Sequence, residues 1–169
     1  MENKMKKNIL RIILIILLLG TFYIIFGFSS QDGEKSGSIS RRITEKIATL
    51  IPQIQKENEI EKENIMNTME SIIRKMAHFS IYTVVGLLLM SLVSTYNIKE
   101  KNRLIITLIT GIIYASSDEI HQSFVPGRSP MITDVVIDTM GVILGILLII
   151  LGKKIIKKYR ENKQNMALD

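Results

Sequence analysis

The chain has 169 residues, 47% of them hydrophobic and 22% charged, a composition that would suit one soluble domain if it were evenly spread. It is not, and that excludes an ordinary water-soluble core: the runs Ile9 to Phe28, Met76 to Val93, Leu104 to Ser116 and Val142 to Leu151 hold most of the aliphatics and almost no charge. The net charge of +6 does not point to nucleic acid, because the basic residues cluster beside the apolar runs rather than on one phosphate-binding face, and the absence of cysteine removes disulfides, thiolate metal sites and cysteine nucleophiles.

Residues 1–8 form a basic tail, with Lys4, Lys6 and Lys7 ahead of the first run. The run itself, 9–28, has 20 residues, and at about 1.5 Å per residue it covers the roughly 30 Å hydrocarbon core. It reads as a retained membrane anchor. A cleaved signal peptide is the alternative, weakened by the length of the apolar part and by Gly27-Phe28-Ser29, a poor small-x-small cleavage site.

The segment 29–70 is too polar to insert. Within it Ile39, Ile43, Ile47, Leu50 and Ile54 recur at helical spacing behind Ser36 and Ser40 as N-cap candidates, which predicts an amphipathic helix lying on the outer leaflet and ended or kinked by Pro52. The charge run Lys56 to Glu63 reads as solvated helix or loop.

Three further spans are predicted over 71–96, 103–125 and 130–152, followed by a basic tail over 153–169. The apolar run from Leu104 covers only about 20 Å, so that helix must continue through Asp118, Glu119, His121 and Gln122 to reach the far side, where Pro126-Gly127 stops it. Basic residues flank the helices at one side, including Lys99, Lys101, Arg103, Lys153 and Lys154, whereas the segment Ser29 to Lys75 balances eight bases against eight acids. By the positive-inside rule both termini are cytoplasmic. The fold expected is an all-α multi-pass protein of the cell membrane, with four transmembrane helices and one extracytoplasmic amphipathic helix.

Ionisable residues inside spans are costly and must face protein or water. Spacings of three and four align Lys75, His78, Tyr82 and Gly86 on the second span, Gly111, Tyr114 or Ala115, Asp118, and His121 or Gln122 on the third, and Asp134, Asp138, Gly141 and Gly145 on the fourth. Each stripe carries small residues deeper in the bilayer and ionisable ones toward its outer end. Gly141 and Gly145 make a GxxxG step that favours close helix approach, so the fourth helix is expected to deliver its two carboxylates to a shared outward-facing pocket. His78, Asp118, Glu119 and His121 are the acid/base candidates, and Lys75, Gln122, Arg128, Asp134 and Asp138 the ligand-binding ones. A buried ion-pair network that only fixes helix register is the alternative, with Lys75 and Arg128 neutralising the acids. The two histidines with Asp118, Glu119 and Asp134 match no compact metal spacing, so no metal and no cofactor is expected.

The blocks Phe28-Ser29-Ser30-Gln31, Lys75-Met76-Ala77-His78-Phe79, Asp118 through Arg128 and Asp134 through Gly141 resemble the signature of VanZ-like membrane proteins, over roughly Phe28 to Gly145. The specific part is D-E-x-x-Q followed by P-G-R. One departure is Asp138, where the D-x-x-N-x-x-G pattern has Asn; the added carboxylate either pairs with Lys75 or stays protonated. The resemblance implies a small polytopic protein of the bacterial envelope, whose namesake confers low-level resistance to the glycopeptide teicoplanin without making altered cell-wall precursors.

Three functions are compatible with these residues. The first is recognition of an amphipathic ligand at the outer leaflet, a membrane lipid, a lipid-linked wall intermediate or a lipoglycopeptide antibiotic, with Arg128 gripping an anionic group and Lys75 beside it. The second is an intramembrane hydrolase or transferase acting on a lipid head group, with His78 or His121 as acid or base. The third is a proton-coupled carrier, disfavoured by four spans without a discontinuous-helix repeat. No nucleic-acid partner is expected.

Overall fold

The computed structural model describes residues 2–30, 33–128 and 130–165, with 33–37 as backbone only. Gln31, in the first signature block, and the side chain of the N-cap candidate Ser36 therefore lie outside the described residues. Among the described residues six helices follow one another: α1 (Glu2–Ser29), α2 (Gly33–Thr49), α3 (Pro52–Gln55), α4 (Glu59–Ser94), α5 (Glu100–Gln122) and α6 (Ile132–Asn165). Among the described residues there is no strand.

Three of them, α1, α4 and α6, are long and apolar enough to cross a membrane, which makes the chain a multi-pass membrane protein. The fourth expected span, α5, has 23 residues, but Glu100, Lys101, Arg103, Asp118 and Glu119 make it more polar than the other three.

α1 runs on from the expected span through the basic tail. Only the stripe Leu14, Leu18, Ile25 and Ser29 is buried, while Ile12, Ile16, Leu19 and Tyr23 stay exposed. A helix apolar all round that packs along one side suits a lipid surround.

α4 begins twelve residues before the predicted 71, because Asn58 caps it: the Asn58 side chain accepts from Glu61 N–H at 2.9 Å and donates back to the Glu61 carboxylate at 2.9 Å. Glu59 and Glu61 in the first turn also complement the helix dipole. The charge run thus supplies a helix start. α2 packs on this polar extension through Ser40, Thr44 and Ala48, all buried, and the Arg41 guanidinium donates to Glu63 at 2.8 and 3.0 Å. That bond raises the Arg41 pKa.

The isoleucine stripe of α2 divides. Ile39, Ile43, Ile47 and Leu50 are exposed, but Ile54 is buried with Ala48 and Met66. Pro52 breaks the helix as expected and takes the first-turn position of α3, which swings Ile54 inward; it belongs to a protein core, not to the exposed stripe.

The bundle core joins Leu18 and Ile25 of α1, Tyr82, Val85, Leu89 and Met90 of α4, Ala115 of α5, and Val142 and Ile146 of α6. Its tightest seam runs between α4 and α6. A Cβ at Gly141 would collide with the Phe79 carbonyl, one at Gly145 with the Thr83 carbonyl, and one at Gly86 with the Val142 carbonyl. Only hydrogen at these positions lets the two backbones touch. The expected GxxxG step therefore supplies two of the three glycines of the crossing, Gly86 of α4 being the third.

The two ends of the bundle differ. At the basic end Arg11 donates to the Thr95 hydroxyl and carbonyl, both at 2.9 Å, and sits 4.1 Å from the Tyr96 ring centre. Lys153 donates to Ser94 at 2.7 Å. At the other end α5 stops at Gln122, three residues before the predicted Val125, and a turn closed by Phe124 N–H to His121 O and Val125 N–H to Gln122 O leads into Pro126-Gly127. Gly127 has φ of 73°, the left-handed region that other residues resist.

Candidate functional site

The buried face of α5 reads Thr107, Gly111, Ala115, Asp118, Gln122, with Glu119 beside it. Asp118, Glu119 and Gln122 of its outer half are buried, Ser116 and His121 are half-buried, and Ser117 is exposed. Asp118 accepts from the Ser29 hydroxyl at 2.5 Å and from the Gln122 amide at 3.1 Å. Gln122 in turn accepts from Arg128 at 3.2 Å, and the second arm of Arg128 donates to the Phe28 carbonyl at 3.0 Å. Arg128 therefore links the turn after α5 to the end of α1. Its burial, and then the neighbouring Arg74 charge, lower the guanidinium pKa, while Asp118 and Glu119 oppose the shift.

From α4 and α6 come two facing pairs. Lys75 Nζ lies 3.3 Å from Asp134, and His78 Nδ1 lies 3.7 Å from Asp138 Oδ2. The extra carboxylate at position 138 thus meets His78, whereas Lys75 meets Asp134. Asp138 is almost wholly buried, and its Oδ1 has no hydrogen-bond partner; the same is true of the Tyr82 hydroxyl. One ligand atom from each of His78, Asp118 and Asp138 lies within 4.8 Å of the other two.

Two candidates face elsewhere. Glu119 accepts the Met131 N–H at 2.6 Å and so anchors the entry to α6. His121 stacks on Phe26 with ring centres 4.5 Å apart and sits 3.1 Å from the Ser30 hydroxyl. Of the alternatives His121 or Gln122 on the third stripe, Gln122 takes the inward place. Tyr114 stacks on Phe22 at 3.8 Å and donates to its carbonyl at 3.0 Å.

A polar cavity of about 150 Å³ opens among Arg74, Lys75, His78, Gln122, Arg128, Asp134 and Asp138. Beside it runs an apolar groove of about 270 Å³, walled by Ile25 and Phe28 of α1, Ile39 and Ile43 of α2, and Ile73, Ala77 and Ile81 of α4. Arg74, His78 and Arg128 line both. Arg74 is the residue that sequence reasoning missed. It stands one turn before His78, a spacing of four that could have placed it on the same stripe.

The cavity brings together Lys75, His78, Gln122, Arg128, Asp134 and Asp138, with Asp118 behind them, and leaves Glu119 and His121 outside its lining. Chemically, three cations against two carboxylates can hold an anionic head group, and the adjoining groove can hold a chain of methylenes. A family model described as VanZ/LLP1 matches residues 14–153. No curated protein and no solved structure matches the chain.

Proposed function

From the premise that this chain belongs to the VanZ/LLP1 family, we propose that it is an envelope membrane protein that recognises an anionic amphiphile at the outer surface of the membrane. The observation that carries the reading is the sharing of Arg74, His78 and Arg128 between a polar cavity and an apolar groove. A head group bearing phosphate or carboxylate enters the cavity, where Arg74, Lys75 and Arg128 supply positive charge, the last held in place by Gln122 and the Phe28 carbonyl. The acyl or prenyl chain lies in the groove between α1, α2 and α4. A lipid-linked wall intermediate and a lipoglycopeptide share this chemistry, and binding of either one gives a route to glycopeptide tolerance.

The topology belongs to the same proposal. α5 serves as the fourth crossing: its buried face holds Thr107, Asp118, Glu119 and Gln122, and Ile105, Ile109, Ile113 and Ile120 are left to the lipid. Both termini lie in the cytoplasm with the basic end, and α2 lies at the outer surface with Ile39, Ile43 and Ile47 against the leaflet.

Binding to the full-length protein in lipid nanodiscs tests the reading, with a polyprenyl diphosphate, the matching neutral polyprenol and teicoplanin as separate arms. The expected result is binding of the diphosphate or the glycopeptide, at least tenfold tighter than of the polyprenol. Equal binding of the neutral and anionic prenyl chains removes the head-group site. A second reading, a head-group hydrolase or transferase, is favoured by His78 and Asp138 facing each other at the cavity wall. Release of phosphate or a transferred head group from the bound lipid would select it.

A further inference from the structure

The geometry points to a divalent metal site built from His78 of α4, Asp118 of α5 and Asp138 of α6. Their donor atoms already lie within 4.8 Å of one another. Donors at about 2.1 Å from a shared ion stand about 3 to 4 Å apart, so adjustment of roughly an ångström closes the set. The His78 to Asp138 separation of 3.7 Å is too long for a hydrogen bond. At that distance the two groups converge as a loose ion pair rather than as a hydrogen-bonded one.

One buried oxygen independently calls for a ligand. Asp138 is 1% exposed, and its Oδ1 has no hydrogen-bond partner. An unsatisfied buried acceptor is destabilising, and Tyr82 lies within reach of the charges of both Asp118 and Asp138. A cation among them satisfies the orphaned carboxylate oxygen and neutralises two acids in an apolar bundle. Asp118 has the support expected of a ligand, with its two oxygens held by Ser29 and Gln122.

One imidazole nitrogen and two carboxylates suit Mn²⁺ or Zn²⁺ better than Ca²⁺. Three protein donors leave coordination positions open, on the side where His78 and Asp138 line the cavity. The site stands without the amphiphile reading, although an ion there would present an open position to an anionic head group.

The probe is Mn²⁺ alone, added to the full-length protein in detergent after chelator treatment. Electron paramagnetic resonance should report about one ion bound per chain, with a nitrogen coupling that disappears in His78→Ala. Asp138→Asn should weaken binding at least tenfold and abolish the rise in melting temperature that Mn²⁺ gives the parent protein. Folded parent protein that takes up no Mn²⁺, or takes it up without nitrogen coupling, overturns the proposal. Should the variants fail to accumulate, the coupling in the parent protein decides alone. Amphiphile binding is measured separately in chelator: if it survives there while the parent protein takes up no Mn²⁺ in the metal titration, the metal site falls and the lipid site stands.

Discussion

Ser29, the last residue of α1, donates its hydroxyl to Asp118 of α5 across 2.5 Å, in surroundings that leave both residues buried. The bond ties the end of the first span to the polar centre contributed by the other three long helices. Ser29→Ala should therefore lower stability by about 1 kcal/mol, the usual net worth of a buried hydrogen bond. Asp118→Asn should cost more, because its new amide brings a donor toward the Ser29 hydroxyl and the Gln122 amide. Thermal unfolding of both variants in detergent checks the order; equal stability of Asp118→Asn and the parent protein would contradict it.

Arg128→Lys keeps the charge and loses the fork that reaches Gln122 and the Phe28 carbonyl together. Binding of the anionic amphiphile should fall about tenfold, with the protein still accumulating in the membrane. Tyr114→Phe loses only the bond to the Phe22 carbonyl, and should cost about 1 kcal/mol of stability with binding unchanged. Comparable binding losses in both variants would move the contribution of Arg128 from ligand to scaffold.

Glu119 offers one oxygen to the Met131 N–H, and a carboxamide oxygen can take its place. Glu119→Gln should retain most stability and binding, whereas Glu119→Ala leaves that N–H without its acceptor and should destabilise by about 1 to 3 kcal/mol. Melting temperatures of the pair decide this; if Glu119→Gln alone abolishes function without loss of protein, its charge has a chemical role.

The chain contains no tryptophan, so Ile43→Trp makes a single reporter on the exposed stripe of α2. Lipids brominated along the acyl chain should quench its fluorescence strongly, as expected of a helix resting on the leaflet. A Trp at this position that is quenched by aqueous iodide and ignored by bromolipid would leave α2 as a cover over protein alone.

Much of this was legible in the sequence where one helix sufficed. The stripes carrying His78, Asp118 and Asp138 follow from spacings of three and four, and Gly141 with Gly145 marks a close crossing. What spacing within one helix could not give was the partner across the gap. His121 and Gln122 follow Asp118 by three and four residues, and only the presence of Phe26 on α1 and of Ser30 just after it draws the histidine away. The metal-like set was hidden for the same reason, since its members come from three helices and share no local motif. The isoleucine stripe of α2 reads as a lipid-facing side, and Ile39, Ile43 and Ile47 are exposed; what spacing did not announce was the opposite face, where Ser40, Thr44 and Ala48 are buried because small residues allow a close approach to α4.

The glycine crossing also bears on how the molecule can move. Replacing Gly141 or Gly145 with Ala should separate α4 from α6 and cost about 1 to 3 kcal/mol, against little effect for Gly20→Ala, where no atom lies within 4 Å of the added methyl. A seam of bare backbone has no layer of rotamers to slip or reset. α4 and α6 therefore act as a stator, and entry of a bulky guest must be accommodated by tilting of α1 or displacement of α2, each joined to that fixed pair by side chains or by a short tether.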